Sequence, residues 1–197
     1  MSRRDLLARA RRASVVVCLS GLSIGLTGCM TSPGATPAAS TEAATTASPS
    51  PSSTAVAETD AAVAAATEAV RSYYAVTDRL LSDPQTSVDE AASVASGEEL
   101  DLLRRQVQEQ RVRGLRQTGS VVLADLTATG ADLQAPPTVT IDACVDVSAL
   151  DVVDNAGASA LAPDRTTSSV VHLTVVAAGD ARWTVDRTSA QGEPCAG

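Results

Sequence analysis

The chain has 197 residues, with 15 basic and 23 acidic side chains and a formal net charge of −8, and every basic residue is arginine. That acidity repels phosphate backbones and speaks against nucleic acid as a partner, and two tyrosines, one tryptophan and no phenylalanine leave little to stack on a carbohydrate. The stretch from about 58 to 197 is of a size for one globular core but not for two.

The first residues read as a leader. Arg3, Arg4, Arg9, Arg11 and Arg12 precede an apolar run from Ala13 to Leu26, the layout of a secretory signal. The run is diluted by Ser20, Gly21, Ser23 and Gly25 and falls short of the roughly 20 residues of an ordinary spanning helix, so a permanent membrane anchor is the lesser reading. Ser2-Arg3-Arg4 followed by Leu6-Leu7 is also similar to a twin-arginine export signal.

Leu26-Thr27-Gly28-Cys29 resembles the bacterial lipobox, which implies that a diacylglycerol joins the Cys29 sulfur and that residues 1–28 are cut away as a lipoprotein signal peptide. Each buried methylene of such a lipid contributes about 0.8 kcal/mol, and two or three acyl chains hold where one does not. The expected location is the extracytoplasmic face of the cell membrane. Loss of the leader removes five arginines and Asp5, leaving 10 basic against 22 acidic residues.

Residues 29–57 are almost wholly Ala, Ser, Thr and Pro, with Glu42 the one charge before the segment's end. Such a stretch cannot bury enough apolar surface to offset the entropy of ordering it and reads as a disordered tether. As a coil it spans roughly 30 Å. Its composition suits either an unmodified spacer or O-linked sugars.

The remainder, 58–197, reads as one globular domain. Val63, Ala66, Val70, Tyr73, Thr77 and Leu80 recur at helical spacing and predict a helix from about Thr59 to Leu81, stopped at Asp83-Pro84. Ser87 with Glu90, and Ser96 with Glu99, fit capping boxes. The second opens a helix to about Arg113 that buries Leu100, Leu103 and Val107 and ends at Gly114.

Beyond Gly119 the period becomes two. Val122, Ala124, Leu126 and Ala128 share one predicted face; after Pro136-Pro137, Val139, Ile141, Ala143, Val145 and Val147 share another, opposite Thr140, Asp142, Cys144 and Asp146. Asp154-Asn155-Ala156-Gly157 signals a turn from Val152-Val153 into a short strand near Leu161. Val171, Leu173 and Val175 alternate next, Gly179-Asp180 turns, and Trp183 and Val185 alternate on the return. Helices first and strands after predict an α+β fold with an antiparallel sheet covered on one face.

That order, the run Thr138 to Asp146, the hairpin around Trp183 and the tail Gly192-Glu193-Pro194-Cys195 resemble secreted actinobacterial lipoproteins with a nuclear transport factor two-like domain. The resemblance covers 58–197 and implies N-terminal helices packed on a curved antiparallel sheet. It brings no family active site with it.

With Cys18 in the leader and Cys29 acylated, Cys144 and Cys195 are the pair left in an exported domain and are expected to form a disulfide. A metal or redox pair is the alternative, though neither has a CxxC neighbour. No phosphate loop, nucleophile motif or metal spacing is present, and no cofactor is expected.

His172 is the one histidine, on the strand face opposite Val171, Leu173 and Val175. Folds of the resembled kind place acid/base groups in a cone-shaped pocket between sheet and long helix, where His172 with Asp142 or Asp146 would make a pair; the structural alternative is a polar residue on a solvent-facing strand. Tyr73, Tyr74 and Trp183 are expected at the core or its rim. Three functions remain open: a non-catalytic binding or scaffolding module meeting an envelope protein or a small apolar ligand, a pocket enzyme of isomerase or hydrolase type built on His172, and a subunit of an export or conjugation assembly.

Overall fold

The computed structural model describes residues 53–179 and 182–195. The stretch read as a signal peptide, with Leu26, Thr27, Gly28 and Cys29, and the stretch read as a tether as far as residue 52 lie outside them. Helix α1 spans Ser53–Ser82, followed by a 3₁₀ turn at Val88–Ser93 and helix α2 at Gly97–Val112. The strands are β1 (Arg116–Thr118), β2 (Val122–Asp132), β3 (Thr138–Asp146), β4 (Asp151–Val153), β5 (Ser168–Ala177) and β6 (Trp183–Ala190). Strands β2, β3, β5 and β6 form an antiparallel sheet in the order β2-β3-β5-β6, while β1 and β4 pair as a separate ribbon. The fold is α+β, as expected. No described helix is long and apolar enough to cross a membrane.

Helix α1 begins at Ser53, inside the stretch read as tether, so its Ala-rich start continues the helix rather than the coil. It buries Ala62, Ala66, Val70, Tyr73, Val76 and Leu80. The stripe thus passes through Val76, with Thr77 only half-buried. Ala66 and Val70 are fully buried, and side chains this small let the helix lie close to the sheet. Asp83-Pro84 ends it, and the carbonyls of its last turn and of the loop just beyond find a donor that the sequence did not announce. The Arg111 guanidinium donates to the carbonyls of Leu80, Asp83 and Thr86 at 3.3, 3.4 and 2.7 Å, doing from α2 what a local cap does elsewhere.

Neither capping box forms as expected. Ser87 Oγ accepts from the Asp89 amide at 3.3 Å, but the segment it opens is a 3₁₀ turn. Glu90 turns to Arg79 instead of its own cap. Ser96 precedes α2 without a side-chain cap bond. Its hydroxyl donates to Asp186 (3.1 Å) and accepts from Thr184 (3.0 Å), while Thr188 Oγ1 donates to Glu99 (2.9 Å) and Arg187 Nε to Glu98 (3.1 Å). Backbone bonds from Ser96 N to Val185 O and from Val185 N to Val94 O, both 2.9 Å, complete the seam. The start of α2 is therefore joined to β6 by polar bonds.

Strand β3 alternates as its sequence predicts, burying Val139, Ile141, Ala143 and Val145. With Leu173, Val175 and Val185 they meet Ala66, Val70, Leu103 and Val107 in one continuous core. Each Leu or Ile fully buried there contributes about 1.5–3 kcal/mol.

Strand β2 departs from its predicted face. The register shift between Leu123 and Leu126 turns both leucines toward the core and leaves Val122 and Ala124 exposed. Leu126 and Ala128 share a face as predicted, opposite Ala143 and Ile141, with Ala128 exposed, and a second shift follows at Ala128/Gly130. An extra residue in a strand reverses the parity of everything beyond it. The strand expected near Leu161 is a single bridge, Val153 to Ser159. Strand β1, which no apolar alternation announces, is held by pairing with β4 and by Gln117 Nε2 donating to Asp78 at 2.6 Å. After it, Gly119 takes φ +73°, with Ala149 O standing 2.1 Å from where a Cβ would sit.

Candidate functional site on the outer sheet face

The residues with chemical potential gather on the sheet face turned away from the helices. Register alone places Thr127, Asp142, His172 and Ser189 in one row across β2, β3, β5 and β6. His172 Nδ1 and Asp142 Oδ1 lie 2.5 Å apart, each side chain a little over one-third exposed. With a carboxylate on Nδ1, Nε2 is the ring nitrogen that this pairing leaves open. Ser189, the neighbour on β6, escaped sequence reasoning because only the β5–β6 register brings it beside His172. Its hydroxyl accepts from Gln191 Nε2 at 3.2 Å.

Asp146 shares this face but stands four residues along β3 from Asp142, roughly 13 Å at the usual strand rise. Its carboxylate accepts the Ser148 amide at 2.7 Å, which holds its pKa below the ordinary carboxylate value. Of the two aspartates offered by the sequence, His172 pairs with Asp142. The pair is not in a pocket between sheet and helix. That interface is filled by Ala66, Val70, Ile141, Ala143, Leu173 and Val175, all fully buried.

Next to the row, Cys144 and Cys195 form the expected disulfide, with 5.5 Å between Cα atoms. It fastens the tail beyond β6, whose Gln191 amide donates to Val170 O and whose Glu193 carbonyl accepts from Val170 N, both at 3.0 Å. The disulfide, Val170, Asp125, Thr127, Asp142 and Glu193 line an open cleft of about 390 Å³. Among the described residues no group of three or more His, Cys, Asp and Glu could hold a metal ion.

A second cleft of about 390 Å³ lies on the other side of β2, between it and α1, lined by Arg71, Tyr74, Ala75, Asp78, Val121, Val122 and Leu123. Burial raises the Asp78 pKa, and the Gln117 amide and the Val121 N–H partly offset this. Deeper in, Glu99 is 3% exposed and accepts from the Tyr73 hydroxyl and from Thr188. Tyr73 packs edge-to-face on Tyr74, centroids 5.1 Å apart. Burial first, and the Glu99 charge second, raise the pKa of both phenols. Glu99 sits one helical turn before Leu103 and two before Val107, a spacing that marks it as a buried position.

The class defined here is an α+β domain with a filled helix–sheet interior and a polar, disulfide-bordered outer sheet face. No family model matches the chain, and no curated protein matches it. Among solved structures, the crystal structure of the intermembrane space region of the chloroplast protein ARC6 is similar at 13% identity, covering 64% of this chain and 92% of that one, with a TM-score of 0.48. A de novo β-sheet design solved by NMR is similar at 17% identity over 66% of this chain and 90% of that one, with a TM-score of 0.33. The α+β assignment rests on the chain's own elements.

Proposed function

We propose that the chain is a lipid-anchored, extracytoplasmic binding or scaffolding module of the cell envelope, similar to the actinobacterial lipoproteins with a nuclear transport factor two-like domain, and that its outer sheet face meets a partner protein. The observation that carries the reading is the division of the domain. Its interior is closed by fully buried apolar side chains, while the polar and ionisable groups of β3 and β5 lie together on the opposite, accessible face. The lipobox at Cys29 and the Ala/Ser/Thr/Pro stretch support a tethered location. The Cys144–Cys195 disulfide supports an oxidising compartment.

The test expresses the full chain in an actinobacterial host. Cys29→Ala is expected to move the protein out of the membrane fraction, and mass spectrometry of the wild type to find an acylated Cys29 at the mature N-terminus. A photo-crosslinking residue at Thr140, mid-way along the outer face, is expected to give a discrete adduct that the same residue at exposed Arg105 on α2 does not. An unacylated Cys29 with the leader still attached would refute the anchor; equal crosslinking from both positions would refute the face.

One observation favours a second reading. Asp142 and His172 form a hydrogen-bonded couple with Ser189 beside them, the beginnings of a hydrolase or isomerase site. His172→Gln separates the two: a reaction using the pair would fall by roughly 10²–10⁴-fold, whereas the Thr140 adduct should persist.

A further inference from the structure

We infer that the open edge of β2 is a docking strand for an extended segment of a partner protein in which basic residues alternate with apolar ones. The inference deepens the binding reading and rests on it. Strand β2 ends the order β2-β3-β5-β6 and, among the described residues, pairs only with β3. Alternate residues along such a strand direct their N–H and C=O groups away from the sheet. The sequence Val122-Leu-Ala-Asp-Leu-Thr-Ala-Thr-Gly-Ala-Asp132 contains no proline, lysine or arginine, so what guards this edge is its two bulges and the negative charge of Asp125 and Asp132. Its side chains are mostly small, and most are exposed.

The two clefts straddle this edge. A strand added beside β2 would place successive side chains on opposite faces. One set would fall by the helix-side cleft, walled by Tyr74, Ala75, Val121 and Leu123, with Arg71 at its border. That wall suits Val, Ile or Leu; of the two charges beside it, Arg71 and Asp78, the carboxylate already accepts from Gln117 and Val121. The other set would fall by the outer cleft with its Asp125, Asp142 and Glu193 carboxylates. Strands β2, β3 and β5 carry Asp125, Asp132, Asp142 and Asp146 and no arginine, and their one basic side chain, His172, is already paired with Asp142. Charge complementarity therefore selects arginine or lysine on the outer side.

A second copy of this chain fits poorly. It would bring acid against acid, and the two bulges interrupt the long continuous register that strand-to-strand self-pairing needs. They leave short in-register runs, Leu126–Ala128 and Gly130–Asp132, suited to a short segment.

The test is amide hydrogen exchange on the full chain, with and without a synthetic peptide alternating arginine and valine. The peptide is expected to protect residues 122–132 and to bind more weakly as salt is raised. Asp125→Asn and Glu193→Gln should each weaken it roughly two- to fivefold, the range of one exposed ion pair. Methylating alternate amide nitrogens of the peptide removes strand pairing without touching the protein, and one of the two alternating patterns should abolish binding. Equal binding of a glutamate–valine peptide, indifference to both methylation patterns, protection elsewhere than β2, or concentration-dependent self-protection of β2 without peptide would overturn the inference. Failure of the peptide while the Thr140 adduct persists would remove the edge and leave the binding reading standing.

Discussion

A buried carboxylate is costly unless its lone pairs are used, and Glu99 uses its own on Tyr73 and Thr188. Removing one donor should cost more than the bond itself is worth, because the charge stays behind. Tyr73→Phe is expected to destabilise the domain by about 1–3 kcal/mol, measured by denaturant unfolding. The two phenols also give a pH signature. Their pKa values are raised by burial and by the Glu99 charge, so the stability they confer is fully present below their ordinary value near 10 and is lost as pH rises beyond it. As Tyr73 and Tyr74 are the only tyrosines, absorbance at the phenolate band should report both at once. The expected result is little ionisation at pH about 10, then a rise coincident with loss of the far-ultraviolet dichroism; ordinary titration in the folded protein would contradict it. At this scale the sequence announced His172 and Asp142 as neighbours in kind, since strand alternation put both on a polar face. It could not announce the pairing, which depends on a strand register set 30 residues apart.

Among the elements, β3 was legible and β2 was not, for one reason. Strand β3 keeps strict alternation over nine residues, so its buried face can be counted off. The two bulges in β2 reverse the count, and nothing local in Val122–Asp132 marks where. The capping boxes misled for a different reason: Ser96 and Glu99 have the right spacing, but their side chains bond to β6, about 90 positions away. The Arg111 contact with the end of α1 has likewise no local signature. Gly119 is the element-scale test. Its positive φ and the nearby Ala149 carbonyl lead us to expect Gly119→Ala to cost more than about 1 kcal/mol and to loosen the β1–β4 ribbon. Faster amide exchange in Gln117 and Val152 than in β3 would show that the damage is confined there.

For the whole molecule, the α+β class and the disulfide followed from chain order and cysteine accounting, because both depend on sums over the sequence rather than on register. The bridge closes a loop across 51 positions, and constraining the unfolded chain to that extent contributes up to about 4 kcal/mol. Replacing both cysteines, Cys144→Ser with Cys195→Ser, should lower the denaturant midpoint with the β3 and β5 core intact by hydrogen exchange and the tail after Ala190 newly exposed.

The seam between α2 and β6 bears on when the molecule can be finished. Helix α2 emerges early in synthesis, yet the groups that accept its opening turn belong to residues 184–188. Until residue 188 has been made, Glu99 has no Thr188 to answer it. A nascent chain short of that point does better to leave Glu99 in water than to bury it half-paired, so the docking of α2 waits for β6.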